Sequence, residues 1–132
     1  MQLFRVIIPV RDVDAAARFY AALLSTAGER VSTGRHYFKC GAAILACWDA
    51  LADGDPAYVG SNAAPIYLST EEPLEAVRER AFAAGAKADA QRGDIGVRPW
   101  GERSFYVTDP WGNPLCLVQA GSEYLGGRIN RT

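Results

Sequence analysis

The sequence predicts an α+β chain in which one β-α-β-β-β unit is used twice. Three observations carry this. A β-branched run at Phe4–Val10 leads into a stripe of apolar residues at helical spacing, and the same order returns at Pro65–Gly85. Each half then closes on short strands, the last two joined by a turn with strong turn chemistry. The same pattern also allows a single α+β sandwich with two helices on one sheet.

The elements follow in order. Phe4–Val10 reads as the first strand, and Asp12 offers an N-cap oxygen. Val13, Ala17, Tyr20 and Leu24 form the stripe of the first helix, which Gly28 is expected to stop. His36–Cys40 and Ala43–Trp48, separated by Gly41, read as a hairpin. Residues 49–63 are small and polar, a connector between a module at 4–48 and a module at 64–119. Pro65–Thr70 is the next strand, Pro73 suits the first helical position, and Leu74, Val77, Ala81 and Ala84 face a core before Gly85. A glycine-rich loop leads to the strand Ser104–Thr108. The turn Asp109-Pro110-Trp111-Gly112 has the type I preference, and Leu115–Val118 closes the pattern. The tail from Ala120 has no obvious core role.

A shift of 60 positions relates the halves, aligning Arg5 with Pro65 and Asp12 with Glu72. Only Ala16/Ala76, Arg18/Arg78 and Ala21/Ala81 are identical over residues 5–24, so the repeat is one of pattern. A half of this size buries little apolar surface, so the halves are expected to pair with each other or across a dimer.

Composition narrows the function. Fourteen basic and 15 acidic residues leave a net charge of -1, which provides neither the basic face of a nucleic-acid binder nor a polybasic membrane clamp. No apolar run is long enough to span a bilayer, and no signal peptide is expected at Met1–Arg5. The three cysteines, Cys40, Cys47 and Cys116, are widely spaced and without a C-x-x-C, which points to a reducing cytoplasm.

Trp100-Gly101-Glu102-Arg103-Ser104-Phe105-Tyr106-Val107-Thr108-Asp109-Pro110-Trp111-Gly112-Asn113 resembles the final hairpin of the vicinal-oxygen-chelate superfamily. That superfamily holds glyoxalases, extradiol dioxygenases and the bleomycin and fosfomycin resistance proteins. Val10-Arg11-Asp12 with Ala16, Phe19 and Tyr20 is similar to its first strand and helix. The resemblance implies a glyoxalase-like fold in which each half curls into a concave mixed sheet and two cups close on a ligand. It also implies a metal held by a His on the first strand of a half and a carboxylate or His on its last strand. Here the first-strand places are Arg5 and Pro65; the last-strand places are Cys116 and one of Leu45, Ala46 and Cys47. Arg5 repels a cation and Pro65 has no donor, so no metal and no other cofactor is expected.

The Trp-Gly-x-Arg-x-Phe run resembles the metal-free, bleomycin-resistance-like branch, whose dimers confer antibiotic resistance by sequestering a drug. Bleomycin itself is a cation, and a net charge of -1 is not the strongly negative surface that would hold it. The resemblance thus implies metal-free binding of a small organic, aromatic molecule in a cleft of a homodimer, with modules swapped or side by side. The alternative is a lyase, isomerase or dioxygenase using a metal or base that the sequence does not identify.

Candidate ligand-binding residues are Arg5, Tyr37, Phe38, Trp48, Tyr67, Trp100, Tyr106 and Cys116. Strand parity puts Arg5, Ile7 and Pro9 opposite the fully apolar face that the helix must cover. Arg5 there either holds a ligand carboxylate or phosphate, or pairs with an internal acid or reaches solvent. The aromatic rings suit a planar ligand, and part of the set must be core. His36 has no partner carboxylate, and no basic neighbour marks a cysteine as a nucleophile.

Overall fold

In the computed structural model, which describes residues 1–127, the chain divides into two units. One comprises Met1–Ala63 with Trp111–Asn113; the other comprises Ala64–Pro110 and the chain from Pro114 on.

The first unit runs β1 (Arg5–Pro9), α1 (Val13–Leu24), β2 (Glu29–Ser32), β3 (Arg35–Cys40) and β4 (Ala43–Trp48), in the sheet order β1-β4-β3-β2. β1 runs parallel to β4 and the other pairs are antiparallel. Asp12 caps α1, its carboxylate accepting from Ala15 N at 3.0 Å. The buried stripe is Val13, Ala16, Phe19, Tyr20 and Leu23: Val13 and Tyr20 are buried as expected, while Ala16 and Leu23 take the places expected of Ala17 and Leu24. α1 also ends earlier than Gly28: Ser25 takes the left-handed C-cap at φ 56°. β2 was absent from the sequence reading because its residues are mostly exposed and show no alternation.

The outer edge of β1 is closed by side chains. Asn62 Nδ2 donates to Ile7 O at 3.1 Å, and Asn113 Nδ2 donates to Pro9 O at 2.7 Å. Asn113 Oδ1 accepts from Asn62 N at 2.8 Å, and Trp111 meets Phe19 edge-on. An edge strand whose carbonyls are occupied is a poor template for further pairing.

The second unit runs β5 (Ile66–Thr70), α2 (Leu74–Ala84), β6 (Lys87–Ala88), β7 (Gly96–Val97), β8 (Arg103–Thr108) and β9 (Pro114–Gln119). The sheet order is β5-β9-β8-β6, with β7 also paired to β8 and β5 parallel to β9. α2 buries Leu74, Val77 and Ala81 but only half-buries Ala84; Pro73 is its N-cap residue, one position before the first helical residue. Gly85 supplies the left-handed C-cap at φ 118°, a conformation that costs glycine little. The loop of the sequence reading contains β6 and β7, two residues each, so the second strand of the unit is split.

Strand pairing also corrects the internal repeat. Ile7 faces Ala46, which faces Tyr37; Tyr67 faces Cys116, which faces Tyr106. Tyr67 lies 60 positions after Ile7, but Tyr106 lies 69 after Tyr37 and Cys116 lies 70 after Ala46. The shift of 60 thus holds only through the first strand; in the helices the buried Val13, Ala16 and Tyr20 stand 61 positions before Leu74, Val77 and Ala81. The architecture is α+β, with a mixed sheet in each of two β-α-β-β-β modules. Among the described residues no helix is long and apolar enough to cross a membrane.

Candidate functional site

Each sheet has a helix-covered face and an opposite face, and the candidate residues distribute between them. In the first unit, Ile8, Leu45, Phe38 and Cys47 share one parity and are fully or almost fully buried. Phe38 lies 6.3 Å from the Tyr20 ring of α1 and 5.0 Å from His36. It is core, because adjacent strand residues point to opposite faces and Tyr37 takes the open one. His36 shares the helix side, with Nε2 against Ala27 O at 2.9 Å.

The open face carries Arg5, Tyr37 and Trp48, joined by Arg35, which the sequence reading passed over. Arg5 is exposed, its guanidinium 5.2 Å from the Tyr37 ring and 5.0 Å from Phe4, and among the described residues no carboxylate pairs with it. Arg35 lies 5.1 Å from the Trp48 ring, donates to Tyr37 Oη at 3.0 Å and stands 3.4 Å from Asp53. Burial pushes the Asp53 carboxyl up. Hydrogen bonds from Ser32 and Gly34 N, with Trp48 and Arg35 beside it, outweigh this and hold it below the ordinary carboxylate value.

In the second unit, Tyr67, Cys116, Val118, Tyr106 and Ser104 share the face opposite α2. Tyr106, Cys116 and Val118 form a buried cluster. The Tyr67 and Tyr106 rings meet edge-on at 6.3 Å, with their hydroxyls 3.5 Å apart. Arg98, from the loop before β8, lies 5.2 Å from the Tyr106 ring. Its Nε donates to Ser104 Oγ at 2.9 Å and its Nη2 to Asp94 O and Ser104 O at 2.7 and 2.8 Å. Burial, reinforced by Tyr67, pushes the Tyr106 phenol well above its ordinary value. Burial likewise pushes the Cys116 thiol up, against hydrogen bonds from Ser104 and Tyr106. At neutral pH both groups keep their protons.

This face opens into a pocket of about 470 Å³. Tyr67 and Val118 come to it from the sheet, Trp100 from the loop, and Tyr124 and Leu125 from the tail. Glu102 ties loop to tail, since its carboxylate accepts from Trp100 Nε1 and from Tyr124 N, each at 2.8 Å. Glu123 also lines the pocket and accepts from Gly121 N.

Of the candidates, Tyr67 and Trp100 line this pocket, and Tyr106 and Cys116 belong to the same sheet face. Arg5, Tyr37 and Trp48 lie on the open face of the first unit. Glu102, Glu123, Tyr124 and Leu125 were missed. Trp100 and Glu102 flank a turn at Gly101, where no strand period links them, and the tail carried no signal either.

The metal that the fold family implies can be tested against these residues. The first-strand places hold Arg5 and Pro65. Strand pairing matches Cys116 with Ala46, which settles the remaining place. A guanidinium, a pyrrolidine, a methyl group and a protonated thiol do not make a divalent-cation site. Among the described residues no three His, Cys, Asp or Glu side chains converge elsewhere.

Residues 5–118 match the model of the glyoxalase-like domain. The chain is similar in fold to a glyoxalase/bleomycin resistance protein from Albidiferax ferrireducens T118, at 21% identity and TM-score 0.75, covering 89% of this chain and 98% of that one. A glyoxalase-related enzyme from Fulvimarina pelagi is similar at 20% identity and TM-score 0.74, over 100% and 97% of the two chains. A lactoylglutathione lyase from Agrobacterium tumefaciens is similar at 18% identity and TM-score 0.65, over 90% and 93%. No curated protein matches the chain significantly. Matched from its first strand to its last, the chain belongs to the glyoxalase-like domain family.

Proposed function

We propose that the chain binds a small planar organic molecule without metal chemistry, in the pocket on the open face of the second module, and sequesters it as a homodimer. The observation that carries this reading is the pocket itself. Its volume falls in the range of small-molecule sites, and Tyr67, Trp100 and Tyr124 give flat contact area at low entropy cost. Binding is favoured over turnover because two of the ionisable groups of the sheet face, Tyr106 and Cys116, are both held protonated by burial. Neither is poised as a base or nucleophile near neutral pH. The cysteines, between which no disulfide forms among the described residues, suit the reducing cytoplasm that we propose as its setting.

The test is a tryptophan-fluorescence titration of chelator-treated protein against a panel of planar aromatic compounds. Saturable quenching is expected, and Trp100→Phe should abolish most of the signal. Stacking is worth about 0.5–1.5 kcal/mol, so the phenyl ring should retain affinity within roughly tenfold. A panel with no saturable binder, or a bound compound that is converted only when metal is restored, overturns the proposal. Sedimentation showing only a 14.3 kDa species at micromolar concentration would remove the dimer from it.

A further inference from the structure

The open face of the first unit carries two cations that the fold does not use. β4 lies between β1 and β3, and Ile44, half-buried, has Arg5 on one side and Lys39 on the other. Strand parity puts both side chains on the face away from α1. Neighbouring strands lie about 4.8 Å apart, so the two backbones stand about 10 Å apart. Both residues are exposed, and among the described residues neither has an ion pair. Residues 128–132 contain no Asp or Glu that could supply one.

The groups around Arg5 are rings and donors. Its guanidinium lies 5.0 Å from the Phe4 ring and meets the Tyr37 ring at 5.2 Å across β4, where Ala46 is too small to keep them apart. Among the described residues no acceptor takes a hydrogen bond from its guanidinium N–H groups. Tyr37 Oη accepts from Arg35 Nη1 at 3.0 Å, which leaves its own proton to donate. Arg35 itself is balanced by Asp53 at 3.4 Å. The one acid within the four strands is Glu29, exposed and facing Tyr37 from β2. Two unpaired cations against this one acid leave an excess of one positive charge.

We infer that this face holds a small organic carboxylate at the Arg5 guanidinium, with Lys39 as the second cation and Ile44 and the Tyr37 ring under its apolar body. The planar fork of a guanidinium matches a carboxylate, which takes two parallel N–H bonds from it. A dianion exceeds the charge available, and a metal cation is repelled. A neutral molecule leaves the N–H groups without a charged acceptor. The site is built from the first unit alone, so it stands or falls independently of the pocket proposed for the second.

The experiment titrates benzoate, its neutral analogue benzamide, and phenyl phosphate into the full chain. Binding is followed by NMR, through the probe and through the Arg5 side-chain Nε–H signal, which Arg5→Met identifies by its loss. Benzoate should saturate, bind at least about tenfold more tightly than benzamide, and move the Arg5 signal. Its affinity should fall severalfold when salt is raised from about 50 to 500 mM. Arg5→Met should weaken benzoate by about tenfold or more and Lys39→Met by about threefold, with benzamide unchanged by either. Arg5→Lys keeps the charge but not the fork, and should fall between wild type and Arg5→Met. Both positions are exposed, so thermal midpoints should stay within a few degrees. No saturable benzoate binding, or benzamide binding as tightly, overturns the proposal. So does benzoate binding that Arg5→Met and Lys39→Met leave unchanged, which would place it elsewhere on the chain. Phenyl phosphate binding tenfold more tightly than benzoate would overturn the choice of a carboxylate.

Discussion

The two modules place a tyrosine at the same point of the same strand frame, and they use it differently. Tyr37 faces Ala46 and Tyr106 faces Cys116, and each ring lies 5.2 Å from a guanidinium, that of Arg5 or Arg98. In the first module Arg5 is exposed and Arg35 is balanced by Asp53, so the face is charged and open. In the second, Arg98 is tied to Ser104 and to the Asp94 carbonyl, and Tyr106 is buried beneath it. The additional residues lie between α2 and β8, and from this loop and the tail come Trp100, Glu102, Glu123 and Tyr124. One frame thus yields an open face where the connections are short and a pocket where a loop and a tail are added.

If the frames are alike and the additions differ, damage to the frame should cost stability and damage to the additions should cost binding. The largest loss is expected at Asn113, which is fully buried and serves Pro9 O and Asn62 N. Asn113→Ala leaves Asn62 N without its acceptor and Pro9 O with only the longer bond from Tyr58 Oη at 3.4 Å, at a cost of about 2–3 kcal/mol. Gln119 is the comparable side chain in the second unit, donating to Thr70 O and Glu72 O, but it is only half-buried. Water replaces it, and Gln119→Ala should cost about 1 kcal/mol or less. Urea unfolding of the two variants reads the difference. Equal losses would mean that the two edges are sealed alike.

The arginines offer a sharper comparison. Arg98→Met removes three hydrogen bonds, two of them to the buried Ser104 and one to the exposed Asp94 O, and a loss of about 1.5–3 kcal/mol is expected. Arg35→Met removes one bond to Tyr37 and a longer ion pair, for about 0.5–1 kcal/mol. Arg98→Met should also weaken ligand binding in the pocket, because Arg98 anchors the loop that carries Trp100. Arg35→Met should leave that binding unchanged. A calorimetric titration beside the unfolding curves separates the two effects.

How much of this was legible in the sequence depended on whether a side chain answers to strand parity or to tertiary placement. Tyr67 and Tyr106 were found as aromatics within strands, and Cys116 as the last-strand place that the family resemblance implies; only β5 alternates in burial, whereas β8 and β9 are buried almost throughout. Phe38 was misplaced for a local reason. Tyr37 and Phe38 are adjacent aromatics, and only one of them can share the face of Arg5. Arg35 was passed over because the hairpin was taken to begin at His36, one residue late. Glu123, Tyr124 and Leu125 had no signal at all: a polar, glycine-containing tail carries no period, and its position comes from Glu102 reaching across to Tyr124 N. The fold is a property of pattern and was readable; half of the pocket is a property of chain return and was not.

The smallest effect at neutral pH, and the most specific to the second module, concerns Tyr106. Burial raises its folded-state pKa, so the fold keeps the neutral phenol. The sign follows from linkage. The stability from this group is fully present below pH about 10, where the unfolded chain also keeps its proton, and is lost as the pH climbs toward the raised folded value. The Cys116 thiol, raised by burial, acts in the same direction from about pH 8.5. Asp53 acts at the other end. Its lowered pKa contributes stability above about pH 4, lost as the pH falls through the folded value. Tyr106→Phe deletes a long contact to Tyr67 and the hydrogen bond to the Cys116 thiol, and should change stability at pH 7 by about 1 kcal/mol or less. It should nonetheless flatten the loss of stability above pH 10, which Tyr37→Phe on the open face should leave in place. Thermal melts of both variants between pH 7 and 11, with phenolate absorbance followed in parallel, make the comparison. An alkaline limb that survives Tyr106→Phe unchanged would place its origin outside the buried face of the second module.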